Sequence, residues 1–165
     1  VPLREDETGG SLFERLASEG AKLCVKTMEA IEKGTAVYTP QDHAQATHTT
    51  MIKKQMGIID WSMGARQIEC LIRGLNPWPS AYTMLEGRTL KIWKAKTNEE
   101  NKQVLPGTVT EVTKKEIYVQ TGNGQLILEE IQLEGKKRMT AEAFLRGKAI
   151  LEGTVFGMDK KEKDV

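Results

Sequence analysis

The chain has 165 residues, and its hydrophobic share of 39% and charged share of 28% are typical of a globular protein. This balance disfavours collagen-like, disordered and membrane proteins, and no apolar run approaches the roughly 20 residues of a membrane-spanning helix. The net charge of +1 excludes a protein that binds polyanions by bulk charge alone. Two cysteines, Cys24 and Cys70, are too few for a disulfide framework and favour a cytoplasmic protein.

The spacing of apolar residues predicts an amphipathic helix over residues 8–33, numbered here and below as in the printed sequence. Its apolar stripe consists of Leu12, Phe13, Leu16, Leu23, Cys24, Met28 and Ile31. Ser11 and Glu14 have the spacing of a capping box, Thr8 is a rival N-cap, and Gly34 stands where a left-handed C-terminal cap belongs. Such a stripe needs a covering surface, so we expect the helix to pack on a second domain or on another copy of the chain.

Residues 35–57 have no sustained period and are predicted to form an extended linker, with one helical turn near residues 51–56. His43 and His48 lie within this linker. A metal site would need further ligands at suitable spacing in a rigid frame, and the linker offers none. Solvated histidines are therefore favoured, and no metal is expected.

A second helix is predicted from the N-cap Ser62 to Gly74, since the prolines of Pro77-Trp78-Pro79 prevent its continuation. From Tyr82 onward the apolar period changes to two. Five or six short strands, joined by tight turns such as Gly122-Asn123-Gly124, predict a small antiparallel barrel or sandwich. A short helix over residues 141–146 follows, capped by Thr140, and the charged residues 159–165 are predicted to be disordered.

Several longer motifs occur in a distinctive order along the chain. They are Glu5-Asp6-Glu7-Thr8-Gly9-Gly10-Ser11-Leu12, Ile59-Asp60-Trp61, Ile72-Arg73-Gly74-Leu75-Asn76-Pro77-Trp78-Pro79, Ala81-Tyr82-Thr83, Pro106-Gly107-Thr108-Val109, Thr121-Gly122-Asn123-Gly124 and Gly135-Lys136-Lys137-Arg138-Met139. Together these motifs resemble the methionyl-tRNA formyltransferase family over nearly the whole chain.

The resemblance implies an α+β chain with four parts. Residues 1–36 would be the end of an α/β, Rossmann-like catalytic domain, and residues 37–59 a linker. Residues 60–158 would form an OB-like antiparallel barrel that binds tRNA, and residues 159–165 a disordered tail. The junction between linker, helix and barrel would be built from Asp60, Trp61, Asn76, Pro77, Trp78 and Pro79. Trp61 and Trp78 are expected to pack there rather than to stack on bases.

The family transfers a formyl group from 10-formyltetrahydrofolate to the amino group of methionyl initiator tRNA. Its catalytic Asn, His and Asp would lie upstream of Val1, so this chain is expected to be a piece of a longer polypeptide. By itself it should hold no catalytic residue, no folate and no metal, and it should be inactive. The expected partners are initiator methionyl-tRNA and the missing N-terminal catalytic half.

Basic side chains are the candidate contacts to tRNA, because residues 61–96 carry six basic residues against two acidic ones. The candidates are Lys53, Lys54, Arg66, Arg73, Lys91, Lys94, Lys136, Lys137 and Arg138. Each could instead be a solvated surface charge. Arg73 could bond the last carbonyls of its helix, and Lys137 or Arg138 could pair with Glu134 or Glu142.

Two other functions remain open. The chain could be a stand-alone RNA-binding module. It could also be the C-terminal module of a related enzyme, such as a formyltransferase acting on nucleotide sugars or the hydrolase part of formyltetrahydrofolate dehydrogenase.

Overall fold

The computed structural model describes residues 1–157 and divides into two compact units, Val1–Ile52 and the part from Lys53 onward. The predicted disordered tail, residues 159–165, lies outside the described residues. None of the helices formed by residues 1–157 is long and apolar enough to cross a membrane.

The first unit contains one long helix, α1, which spans Gly9–Glu32. Its N-cap is Thr8, whose Oγ1 accepts the N–H of Ser11 at 3.1 Å while the Ser11 hydroxyl oxygen accepts the N–H of Thr8 at 3.0 Å. The capping box therefore joins Thr8 to Ser11, and the alternative of Ser11 with Glu14 is not formed. No residue of α1 is buried.

The chain that enters α1 is held by an ion pair. Arg15 donates from Nε to Oε1 of Glu7 at 2.7 Å and from Nη2 to Oε2 at 2.6 Å, and it also donates to the carbonyl of Pro2 at 3.0 Å. The hydrogen bonds from Arg15 lower the pKa of Glu7 to about 2. Beyond α1, residues 35–52 contain only a short 3₁₀ turn, His43–Gln45, capped by Asp42.

The second unit is built on an antiparallel sheet of six strands. The strands are β1 Ala81–Leu85, β2 Arg88–Asn98, β3 Val109–Val112, β4 Ile117–Gln120, β5 Gln125–Leu133 and β6 Met139–Thr140. Their order is β1-β2-β5-β4-β3, and β6 pairs with the second half of β5. The central β2–β5 pair is the longest. It runs from Leu90 opposite Leu133 to Asn98 opposite Gln125, with register shifts on both sides of Lys94.

The two edge strands are not joined by a strand ladder, so the sheet is open. Single backbone hydrogen bonds from residues 155–157 lie between the edges instead. Phe156 N–H donates to the carbonyl of Gly107, just before β3, and Gly157 N–H donates to Met84 of β1, both at 2.9 Å. The Phe156 ring also packs against Trp61, with ring centroids 5.8 Å apart.

Two helices accompany the sheet, α2 at Ala65–Gly74 and α3 at Ala141–Gly147. The N-cap of α2 is Gly64, whereas the sequence predicted Ser62. The reason is local, because Ser62 donates its N–H and its hydroxyl to the Asp60 carboxylate at 2.9 and 2.6 Å. The predicted ends of both helices, at Gly74 and near residue 146, agree with the structure within one residue.

The core of the second unit lies between α2, α3 and the inner face of the sheet. Its largest fully buried side chains are Ile68, Ile72, Leu85, Leu90, Ile92, Ile117, Leu126, Leu128 and Ile131. The turn before β5 is fastened to the chain before α2, since Gly122 N–H lies 2.9 Å from the carbonyls of both Trp61 and Met63. A Cβ atom on Gly122 would lie 1.8 Å from the carbonyl oxygen of Ser62, so only glycine fits there.

Candidate nucleic-acid interface

The outer face of β2 carries a polar and aromatic row. Leu90 and Ile92 are 0% and 1% exposed and belong to the core. Since side chains alternate along a strand, Lys91 between them points to the opposite face. Lys91 is paired with Gln132 of β5, which is also partly exposed. This face of the central strand pair is therefore in contact with solvent.

Trp93 stands at a bulge in this row. The register passes from Ile92 opposite Ile131 to Lys94 opposite Glu130, so Trp93 has no partner on β5. Its carbonyl accepts a hydrogen bond from Asn76 Nδ2 at 3.3 Å, and its indole N–H donates to Gln132 Oε1 at 3.1 Å. Bulges redirect side chains. Here the bond from Asn76 holds the main chain at the bulge, and the bond to Gln132 holds the ring.

Two cations lie against the Trp93 ring. Lys91 Nζ is 5.5 Å from the ring centroid, and Arg138 Cζ is 4.9 Å from it, both within the range of cation–π attraction. Arg138 reaches this position from the segment before β6 and donates through Nε to Glu130 Oε2 at 2.7 Å. We call Lys91, Trp93, Glu130, Gln132 and Arg138 the Trp93 cluster.

The turn between β5 and β6 contacts the same cluster. Gln132 Nε2 donates to the carbonyl of Lys136 at 3.0 Å, and both Lys136 and Lys137 are exposed. A hollow of about 320 Å³ beside them is lined by Thr89, Lys91, Gln132, Leu133, Glu134 and Gly135. Four of the predicted contact residues, Lys91, Lys136, Lys137 and Arg138, thus lie in or next to the Trp93 cluster.

Lys94 belongs to a second group of charges on the same strand pair. Its Nζ lies 3.1 Å from Glu129 Oε2, and Lys96 binds the other oxygen of that carboxylate. Burial favours a higher pKa for Glu129, but the hydrogen bonds from Lys96 and Lys94 outweigh it and lower that pKa. The three side chains keep a net positive charge.

The two arginines of α2 share one acidic partner. Arg66 Nη1 lies 3.0 Å from Glu69 Oε2, and Arg73 binds both oxygens of the same carboxylate. Those hydrogen bonds raise the pKa of Arg73, while Glu69 is only 8% exposed. Arg66, whose side chain is 65% exposed, is the more accessible of the two for a phosphate.

Lys53 and Lys54 lie where the second unit begins. They are exposed, and Lys54 starts a 3₁₀ turn that spans Lys54–Gly57. The next residue, Ile58, bridges to Tyr82 of β1, and β1 is the neighbour of β2. These two lysines therefore stand at the β1 edge of the sheet.

The junction residues differ in their surroundings. Trp61 is 6% exposed and donates its indole N–H to Thr83 at 3.0 Å. The structure differs from the expectation for Trp78, which is 59% exposed. Neighbouring Pro79 is buried, so the segment is anchored by its proline and not by its tryptophan.

The sequence reasoning overlooked Trp93 and Lys96. Trp93 could have been found from the alternation of the strand, because it follows Lys91 by two residues and so shares the polar face with it. Within residues 1–157, no group of three or more His, Cys, Asp or Glu side chains could hold a metal ion. The arrangement can offer cations and one fixed aromatic ring to an anionic ligand.

Comparison with known proteins places these features in a family. The family described as "Formyl transferase, C-terminal domain" matches residues 51–149. The methionyl-tRNA formyltransferase of Agathobacter rectalis is 57% identical over 94% of this chain and 50% of its own length. That of Lachnospira eligens is 44% identical over 95% of this chain and 51% of its own length. The chain therefore spans about half the length of the curated relatives it matches.

Solved structures support the fold. A crystal structure of HypX from Aquifex aeolicus in complex with tetrahydrofolic acid has a TM-score of 0.61 and 19% identity, covering 88% of this chain and 26% of that one. A variant of the same protein gives a TM-score of 0.60 at 18% identity, covering 92% and 30%. At this level of identity the likeness shows the fold alone.

Proposed function

The chain belongs to the formyl transferase C-terminal domain family, and we propose that it is the tRNA-binding part of a methionyl-tRNA formyltransferase. The observation that carries this proposal is the 57% identity to such an enzyme over 94% of the chain. The whole enzyme would transfer a formyl group from 10-formyltetrahydrofolate to the amino group of methionyl initiator tRNA. The groups that perform this chemistry would lie outside this chain.

Each part of the chain would have its own role in the whole enzyme. Residues 1–36 would complete the catalytic domain, and residues 37–59 would link it to the tRNA-binding domain at 60–158. We take that domain to be an OB-like barrel. The hydrogen bonds of Phe156 and Gly157 between the two sheet edges support this view. A barrel of this kind offers one curved face to a nucleic acid.

The charge pattern supports phosphate binding at the β2–β5 face. Lys91 belongs to the Trp93 cluster, and the exposed Lys136 and Lys137 follow in the turn that Gln132 of that cluster binds. Arg138 is already engaged with Glu130. Lysines at the surface of a nearly neutral chain concentrate positive charge where a phosphate backbone can approach. Contacts of this kind position the RNA without reading its sequence.

A salt titration of initiator-tRNA binding tests the proposal. The double variant Lys136→Ala/Lys137→Ala should lower the slope of log K against log salt by about 1.5, since each lost phosphate contact removes about 0.7–0.9. The matched control is Lys114→Ala/Lys115→Ala, which removes two adjacent exposed lysines from the turn between β3 and β4. Its slope should equal that of the unchanged chain.

Equal slopes for both double variants would contradict phosphate binding at this turn. Failure of the unchanged chain to bind tRNA at low salt would overturn the proposed function itself. A formylation assay with the formyl-folate donor completes the test, because the chain alone should give no turnover above an enzyme-free blank.

A further inference from the structure

We propose that Trp93 is a stacking platform for an unpaired base of the RNA ligand. The proposal rests on the proposed function, and it adds a contact of a different kind from the phosphate contacts above. It commits the ligand to a single-stranded stretch of RNA, because only an unpaired base can leave its own stack and lie on a protein ring.

The ring of Trp93 is held in place before any ligand arrives. Its indole N–H is bound by Gln132 at 3.1 Å and its carbonyl by Asn76 at 3.3 Å. The indole bond to Gln132 restricts rotation of this half-buried ring, so stacking costs it less rotational freedom than it would cost an unbound side chain. The ring also lies on the outer face of the sheet, since Leu90 and Ile92 of the same strand point into the core.

The cations around the ring suit a nucleotide. Arg138 Cζ lies 4.9 Å from the ring centroid and Lys91 Nζ lies 5.5 Å from it. A cation at an exposed site gains less from an aromatic ring than a stacked base does, so the base can take the ring face that Arg138 covers. Arg138 and Lys91 would then stand beside the phosphates on either side of that base, where arginine and lysine bind well.

Glu130 determines where Arg138 lies before a base binds to the Trp93 ring. Its carboxylate holds Arg138 over the ring through a bond from Nε at 2.7 Å. In the free protein the pair keeps the guanidinium close to the platform and prevents Arg138 from moving away into solvent. The hollow of about 320 Å³ lined by Lys91 and Gln132 provides room for the nucleotide next to the stacked one.

The test uses the full chain with two probes, uncharged initiator tRNA and a single-stranded adenosine hexanucleotide. Trp93→Leu should weaken the binding of both probes by at least about fivefold, and Trp93→Phe should recover most of this loss. The matched control Trp78→Leu removes an indole that is 59% exposed, and its affinities should equal those of the unchanged chain. The log–log salt slope should stay the same in all variants, because a stacked base releases no counterions.

Fluorescence gives a readout that a merely structural role would not change. The hexanucleotide should quench the tryptophan emission of the unchanged chain and of Trp78→Leu. It should not quench the emission of Trp93→Phe, in which the buried Trp61 and the exposed Trp78 remain. This measurement needs only the conservative variant, so it stands even where Trp93→Leu does not fold.

The outcomes separate the two proposals. If the chain binds tRNA but Trp93→Phe is quenched as strongly as the unchanged chain, or if Trp93→Leu binds normally, the stacking proposal is overturned and the proposed function stands. A loss of affinity in Trp93→Leu that comes with a lower salt slope also overturns stacking, since it reports displaced cations. Quenching by the hexanucleotide without any tRNA binding would instead support stacking and refute the proposed function.

Discussion

Helix α1 and strand β5 are both rich in large apolar side chains, yet their surroundings are opposite. Phe13 and Leu23 of α1 are 76% and 65% exposed, whereas Leu126, Leu128 and Ile131 of β5 are fully buried. The strand has its core partners within the second unit. The helix is held by local contacts, namely its capping box and the Arg15–Glu7 pair. An amphipathic pattern therefore specifies an element, but it does not supply the surface that covers it.

The largest expected effect tests this difference with one type of substitution in both regions. Leu128→Ala should lower the free energy of unfolding of the second unit by about 2–5 kcal/mol, because it leaves a cavity in a packed core. Leu23→Ala should change it by no more than about 0.5 kcal/mol, since Leu23 is 65% exposed. Urea unfolding followed by fluorescence measures both, and similar losses would contradict the comparison.

A pair of glycine substitutions sharpens the same contrast. Gly122→Ala should destabilise the second unit by about 1–3 kcal/mol or more, because the added Cβ would lie 1.8 Å from the Ser62 carbonyl oxygen. Gly20→Ala should raise the helix content of α1, since nothing lies within 4 Å of its Cβ position and alanine favours a helix by about 0.8–1 kcal/mol. Circular dichroism and thermal unfolding report the two effects. A neutral Gly122→Ala would refute the tight junction between the β4–β5 turn and the chain before α2.

A smaller effect concerns the acid sensitivity of the chain that enters α1. The pKa of Glu7 is lowered to about 2, so its contribution to stability is complete above the ordinary value of 4.5 and is lost as the pH falls toward 2. The carboxyl carbon of Glu7 should therefore titrate near pH 2 in an NMR experiment. In Arg15→Gln the Glu7 pKa should return toward 4.5. A Glu7 pKa near 4.5 in the original chain would show that the Arg15–Glu7 pair does not form in solution.

Much of the fold could be predicted from the sequence because its signals are local. Apolar periods of 3.6 and two predict α1, α2 and the five longer strands, and the Gly-Asn-Gly turn indicates the start of β5. The two-residue strand β6 is too short to show a period. The predicted N-cap of α2, Ser62, is wrong because Ser62 binds the Asp60 carboxylate instead of capping the helix. This binding depends on the geometry of the turn. Whether the sheet closes depends on contacts of residues 155–157 with residues far away in sequence, which no local pattern reveals.

The candidate site was only half visible for a related reason. Basic residues can be read directly from a sequence, and nine of them are predicted contacts to tRNA. Their partners can be read only in part. Glu69 lies at helical spacing from Arg66 and Arg73, whereas the pairing of Glu130 with Arg138 depends on how β5 meets the segment before β6. The role of Trp93 depends on a bulge, on Asn76 after α2 and on a residue before β6. Aromatic residues make up only 5% of the chain, yet a single well-placed ring is enough for stacking.

The proposed function requires that the part of the chain after α1 fold and bind tRNA by itself. This is tested by the Kd for initiator tRNA, measured by filter binding at one salt concentration for the full chain and for a chain that lacks residues 1–36. We expect equal Kd values and cooperative unfolding of both proteins, because the core and the Trp93 cluster lie entirely beyond Lys53. A weakening of about tenfold, equivalent to about 1.4 kcal/mol, in a shortened chain that still folds would contradict it.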